Sequence, residues 1–266
     1  MAVFSRELAL RIGSAMVMAP LVLAAVWFGD PFFPCLIALA AVLMQAEWIR
    51  ISETGGLKAL EWVRIVVLIG ALALGAIGGW AQGLLLLLVL AVVTSVIGHP
   101  RDGVRLWPAL GTLYIGIPCL AMLWLRDKPH VGRDVVLALL LVVWATDIGA
   151  YFVGRLVGGP KLAPRWSPNK TWSGAIGGLI AAILVGVAFA QWSTKVSILS
   201  AVLLSIGTAL TAEIGDLIES MLKRRFTVKD TGSLIPGHGG LLDRLDSLLL
   251  AAPVVAIIVL VVSWRQ

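Results

Sequence analysis

The sequence predicts an all-α fold: a polytopic integral membrane protein of about nine transmembrane helices, with the N-terminus in the cytoplasm. Three observations predict it. Of 266 residues, 59% are hydrophobic and only 14% are charged, where soluble domains average roughly 45–50% and 25%. Mean hydropathy is +0.98, which excludes disorder and argues against a water-soluble globule. The apolar residues fall in continuous runs near the length of about 20 residues that a membrane-spanning helix needs.

The runs cover residues 10–28, 32–49, 63–80, 83–98, 109–125, 134–153, 173–192, 196–218 and 244–263. None reads as a strand, because each is long and continuously apolar and an open sheet edge cannot face lipid. Arg6 and Arg11 before the first run give it a superficial likeness to a signal peptide. Further spans follow at once without a clean cleavage site, so it is expected to stay in place. The second run ends at Ala46-Glu47-Trp48, and Glu47 is expected at the interface or paired with a cation. Almost nothing polar separates the third run from the fourth. Cys35 and Cys119 lie in apolar stretches, form no CxxC, and are expected to be buried packing residues. His99 and His130 are isolated loop histidines. Trp27, Trp62, Trp80, Trp107, Trp172 and Trp264 fall near span ends, as interface belts require. The whole of 1–266 reads as one membrane domain, with 1–133 a scaffold of N-terminal spans and 134–266 carrying the active site.

Charge orients the chain. The net charge is +6 and the pI about 9.7, which on a soluble protein would suggest nucleic acid. Alternating the spans from a cytoplasmic N-terminus leaves only Arg126, Lys128, Arg133, Lys195 and Arg265 outside, with the other 16 of 21 basic residues inside. The positive-inside rule therefore accounts for the basicity, and no nucleic-acid partner is expected. Both long polar segments, Gly154–Trp172 and Glu219–Asp243, then face the cytoplasm, where nucleotides are.

Six acids are out of place on lipid-facing helices: Glu47, Asp147, Glu213, Asp216, Asp243 and Asp246. A charge at a helix centre costs roughly 2.5–3.5 kcal/mol on insertion scales, so such residues are functional candidates. Glu213, Asp216 and Ser220 stand at i, i+3 and i+7 on one helical face. Asp243 and Asp246 stand at i, i+3 where the ninth span begins. Acids gathered in a low-dielectric setting need a cation, protonation or basic partners, and all-oxygen ligands favour Mg²⁺ over Zn²⁺. The alternative for Asp243 and Asp246 is attraction to the positive N-terminus of their own helix.

The segment between these acids is expected to be a loop holding Lys223, Arg224, Arg225 and Lys229, then Gly232, Pro236, Gly237, His238, Gly239 and Gly240. Glycines let backbone approach phosphate and cations neutralise its oxygens, so this is the composition of a phosphoryl or nucleotidyl transfer site. The positive-inside rule explains the cations alone, but not Pro-Gly-His-Gly-Gly followed by two acids. His238 has three roles open to it: general base, phosphate donor and turn residue, the last two being favoured. The other cytoplasmic segment repeats the theme. Asp147, Tyr151 and Gly154 lie at i, i+4 and i+7, followed by Arg155, Gly158, Gly159 and Lys161, then Ser167–Gly174 (SPNKTWSG) with Lys170 and Thr171. A helix starting at Ser173 or Gly174 would add anion-binding amides. Neither a P-loop nor a GxGxxG fingerprint occurs.

Ser220–Asp246, SMLKRRFTVKDTGSLIPGHGGLLDRLD, closely resembles the signature of the phosphatidate cytidylyltransferases, or CDP-diacylglycerol synthases. Its fixed positions are met by Ser220, Lys223, Arg224, Lys229, Asp230, Gly232, Pro236, His238, Gly239, Gly240, Asp243, Arg244 and Asp246. DIGAYFVGR at 147–155, SPNKTWSG and EIGDL at 213–217 resemble the family's other segments, with Asn169 and Ser173 standing where that family often has Lys and Glu. The likeness is firm over about 140–265. It implies an Mg²⁺-dependent reaction of CTP with phosphatidic acid, giving CDP-diacylglycerol and pyrophosphate. It also implies an all-helical homodimer in a bacterial inner membrane, with its cavity open to lipid and cytoplasm. By motif position, Asp216 and Asp246 resemble Mg²⁺ ligands, and Asp243 and Ser220 ligands of a second cation such as K⁺. Catalysis would fall to Asp216, Asp243, Asp246, Lys223, Arg224, Lys229 and His238. Substrate binding would fall to Asp147, Arg155, Lys170, Thr171, Ser220, Asp230, Gly239, Gly240 and Arg244. The competing readings are a CTP-dependent polyprenol kinase, which releases CDP, and a cation-coupled transporter, against which the absence of a convincing internal repeat counts.

Overall fold

The computed structural model describes residues 6–54, 59–193, 196–232 and 239–263. Along the chain it forms α1 (Arg6–Phe28), α2 (Phe32–Ser52), α3 (Ala59–Ala76), α4 (Trp80–Ile97), α5 (Leu106–Arg126), α6 (Gly132–Val157), β1 (Lys161–Ala163), β2 (Ser167–Thr171), α7 (Trp172–Ser193), α8 (Ile198–Arg225) and α9 (Leu242–Ser263). The protein is an all-α polytopic membrane protein. Among the described residues, α2 and α4 to α9 contain the seven segments long and apolar enough to cross a bilayer. α1 and α3 stand at the other two expected positions.

Punctuation between helices comes from backbone chemistry. Gly78 and Gly158 follow α3 and α6 with φ of 86° and 66°, a left-handed region where a Cβ would be strained. α6 and α8 run past their expected ends at residues 153 and 218. At 28 residues, α8 is about 42 Å long, more than the roughly 30 Å hydrocarbon core. Lys223, Arg224 and Arg225, expected in a loop, instead form its last turn. The negative end of the helix macrodipole favours cations there.

A further departure from the expected loop is the β1–β2 hairpin, antiparallel, with Lys161 opposite Thr171 and Ala163 opposite Ser167. α7 starts directly after β2, one or two residues before the expected Ser173 or Gly174. Thr171 Oγ1 accepts a bond from Gly174 N at 3.1 Å, capping the new helix. Ser173 Oγ donates to the Gly158 carbonyl, tying the start of α7 to the end of α6.

The chain divides into two compact units, residues 1–124 with 226–245, and 125–225 with 246–266. In the second, α6, α7 and α8 pack on one another through small residues. A Cβ on Gly178 would lie 2.8 Å from the Thr146 carbonyl oxygen, and one on Gly149 would lie 2.6 Å from Ala181 Cβ. Such close approach is how helices gain packing when lipid removes the hydrophobic drive between them. In the first unit, α2 packs on α1 and α3, and α3 on α4. Arg64 grips Glu53 with both terminal nitrogens at 2.8 Å, the two side chains being 2% and 1% exposed. Burial pushes the Glu53 carboxyl above its ordinary value while Arg64 pulls it back. Trp48 is buried, donates to the Trp107 carbonyl at 3.0 Å and meets the rings of Tyr114 and Phe226. Cys119 is buried as expected, whereas Cys35 is exposed. On a helix whose surroundings are lipid, an apolar thiol has no need of burial.

Candidate active site

The second unit holds the acidic centre. Asp216 and Glu219 stand one turn apart on α8, and Asp246 lies on α9. One carboxylate oxygen from each falls within 4.8 Å of the others. Gly215 makes this approach feasible, because a Cβ there would stand 2.6 Å from the Asp246 carbonyl oxygen and 3.3 Å from Leu250 Cβ. Three such oxygens are the donor set of a hard divalent cation, so these residues fit Mg²⁺. Glu219 was not singled out by the sequence. Its signal was its spacing, three residues after Asp216 and four before Lys223, on a helix that hydropathy alone ends too early.

Cations and hydroxyls surround the triad. Lys170 Nζ lies 2.7 Å from Asp216 Oδ2 and donates to the Glu213 carbonyl at 3.4 Å. Ser220 Oγ donates to Asp216 Oδ1 at 3.4 Å, as their i, i+4 spacing allows. Lys223 Nζ pairs with Glu219 Oε2 at 2.7 Å. Ser247 Oγ donates to Asp147 Oδ1 at 3.3 Å, bringing a third helix, α6, into the group. Lys170 reaches Asp216 because it rides on β2, directly before the Thr171 cap. Arg155 Nη1 donates to Tyr151 Oη at 2.7 Å, on an exposed turn of α6. Arg224 is exposed, with Nε donating to the Trp166 carbonyl at 3.5 Å.

The first unit holds the glycine-rich part of the signature. Asp243 Oδ2 accepts from Thr231 N at 2.8 Å, Thr231 Oγ1 at 3.0 Å and Gly240 N at 2.8 Å. Gly239, with φ of 84°, passes so close that a Cβ would lie 3.0 Å from the same oxygen. Lys229, Asp230 and Arg244 are exposed. His238, with Pro236 and Gly237, lies outside the described residues. Glu47 corrects its expectation. Its partners are neutral donors, not a cation: Leu241 N at 2.9 Å, Leu242 N at 2.8 Å and Thr231 Oγ1 at 3.3 Å. At 3% exposure it is buried within the unit.

A carboxylate cluster flanked by lysines can hold a hard divalent cation and compensate phosphate charge. Comparison with known proteins is specific. The chain matches the cytidylyltransferase family over residues 9–262 and belongs to that family. It is 39% identical over 250 residues to the phosphatidate cytidylyltransferase of Brucella suis, covering 91% of this chain and 89% of that protein. The phosphatidate cytidylyltransferase of Haemophilus influenzae is 35% identical over 278 residues, covering 91% and 95%. That of Staphylococcus epidermidis is 32% identical over 247 residues, covering 86% and 94%.

Proposed function

We propose that this chain transfers the cytidylyl group of CTP to phosphatidic acid, giving CDP-diacylglycerol and pyrophosphate. The carrying observation is the Asp216–Glu219–Asp246 triad with Lys170 and Lys223 already bound to two of its members. A phosphate oxygen of the lipid forms a bond to the α-phosphorus of CTP. The bond from that phosphorus to the bridging oxygen breaks, and pyrophosphate leaves with the electron pair. The nucleophile is anionic near neutral pH, so no strong general base is needed. The barrier is repulsion between two anions and their alignment.

Asp216, Glu219 and Asp246 would hold Mg²⁺, which when bound supplies positive charge to the triphosphate oxygens. Lys170 and Lys223 keep the carboxylates compensated and oriented until substrate arrives. Lys223, Arg224 and Lys229 then stabilise pyrophosphate or seat the lipid phosphate, with Asp147, Arg155 and Thr171 shaping the nucleotide side. Asp243 holds the glycine-rich segment, whose Gly239 lets the backbone approach phosphate. In this reading nine helices span a bacterial inner membrane, the N-terminus and site face the cytoplasm, and two copies pair.

The test is a product assay on purified protein with CTP, phosphatidic acid and Mg²⁺. Pyrophosphate and CDP-lipid in equal amounts support the reading. Release of CDP would mean a lipid kinase, and uptake into proteoliposomes without new products would mean a transporter.

A further inference from the structure

We propose that Glu47 is a positioning residue for the signature segment, a role that rests on the cytidylyl-transfer reading above. Glu47 belongs to α2 and its partners lie 184 to 195 positions away. Its carboxylate is held at both flanks of the glycine-rich stretch. On the entering side, Thr231 Oγ1 stands 3.3 Å from Oε2. On the leaving side, the amides of Leu241 and Leu242 donate to Oε1 and Oε2 at 2.9 and 2.8 Å. These amides open α9, where the macrodipole and unpaired N–H groups favour an anion. Charge-assisted bonds of this kind are about twice as strong as neutral ones.

The surroundings are cut to fit this carboxylate. A Cβ on Gly232 would stand 2.7 Å from Oε1, and one on Gly240 would stand 2.6 Å from Oε2. Two glycines of the signature are therefore explained by the space Glu47 occupies, apart from any approach to phosphate. Thr231 joins Glu47 to Asp243: its hydroxyl faces both carboxylates, and its amide faces Asp243. Glu47 and Asp243 together set where the backbone of residues 231 and 240–242 lies.

The charge of Glu47 is what the proposal requires. Glu47→Gln keeps the shape but turns one acceptor into a donor, placing N–H against N–H at Leu241 or Leu242. The expected result is a fall in kcat of about 10–100-fold, with KM for phosphatidic acid unchanged and the amount of folded protein in the membrane unchanged. Glu47→Asp keeps the charge and should recover part of kcat. Thr231→Val should lower kcat too, and the double variant with Glu47→Gln should lose less than the product of the single losses. Hydrogen exchange at the Leu241 and Leu242 amides should rise in Glu47→Gln, a readout independent of turnover.

Unchanged kcat and unchanged exchange in Glu47→Gln would overturn the proposal. So would a loss that tracks only the amount of folded protein, or one that multiplies fully with Thr231→Val. If Glu47→Gln fails to accumulate, the test passes to Thr231→Val, where a wild-type kcat overturns the proposal. A wild-type protein that makes no CDP-lipid would instead sink the functional reading, and the exchange measurement would still decide whether Glu47 orders the segment.

Discussion

Gly215 of α8 lies against the backbone of Asp246 on α9, so close that a Cβ would stand 2.6 Å from the Asp246 carbonyl oxygen. Gly215→Ala should therefore force the two helices apart. Overpacking of this kind costs about 1–3 kcal/mol, and it also moves Asp246 relative to Asp216 and Glu219. Thermal unfolding in detergent should register the stability loss. The Mg²⁺ concentration for half-maximal activity should rise with it, while an alanine at exposed Gly13 should change neither.

The three carboxylates should be unequal in their consequences for turnover but alike in metal dependence. Asp216→Asn and Asp246→Asn are each expected to lower kcat by about 100-fold or more. Glu219→Gln should raise the half-saturating Mg²⁺ concentration by about 10–100-fold. Chelation should abolish product formation, and added Mg²⁺ should restore it. Initial rates across a Mg²⁺ titration check all of these.

Lys170 occupies Asp216 Oδ2 at 2.7 Å, the oxygen a cation would also seek. Lys170→Met should tighten Mg²⁺ binding, because a competing charge is gone, and yet lower kcat by about tenfold or more. Calorimetric Mg²⁺ titration and steady-state rates should move in opposite senses. Movement in the same sense would place Lys170 outside the centre.

Glu53 and Arg64 are a buried pair far in sequence from the signature. Removing one partner strands the other, at a cost of about 3–5 kcal/mol. Arg64→Met and Glu53→Leu should each lower the unfolding temperature strongly, and the double substitution should recover much of the loss. Specific activity per folded molecule should stay near wild type.

Hydropathy made the membrane class readable, and most helices fall within a few residues of their expected ends. Where the reading stopped short, the deciding interaction was one that a hydropathy window does not see. α8 continues to Arg225 because its terminal carbonyls welcome Lys223, Arg224 and Arg225, while a hydropathy window sees only polarity. Asp216 and Asp246 stood out as acids in apolar helices, but Glu219 hid in that same polar stretch. Asn169 and Lys170 gave no alternation to announce a strand, and the hairpin shows only in its pairing with Lys161–Ala163. Glu47 was visible as a misplaced acid. Its partners are backbone amides of residues 241 and 242, and amides leave no trace in a sequence.

The carboxylate of Glu47 has a consequence for dissecting this enzyme into parts. A fragment starting near residue 125 would retain every residue by which the signature is recognised. It would also strip the opening amides of α9 of their acceptor and leave Gly232 and Gly240 facing an empty slot. Excising α2 thus removes a piece of this segment's own bonding, and a fragment cut from the second half alone should turn over poorly even where it folds.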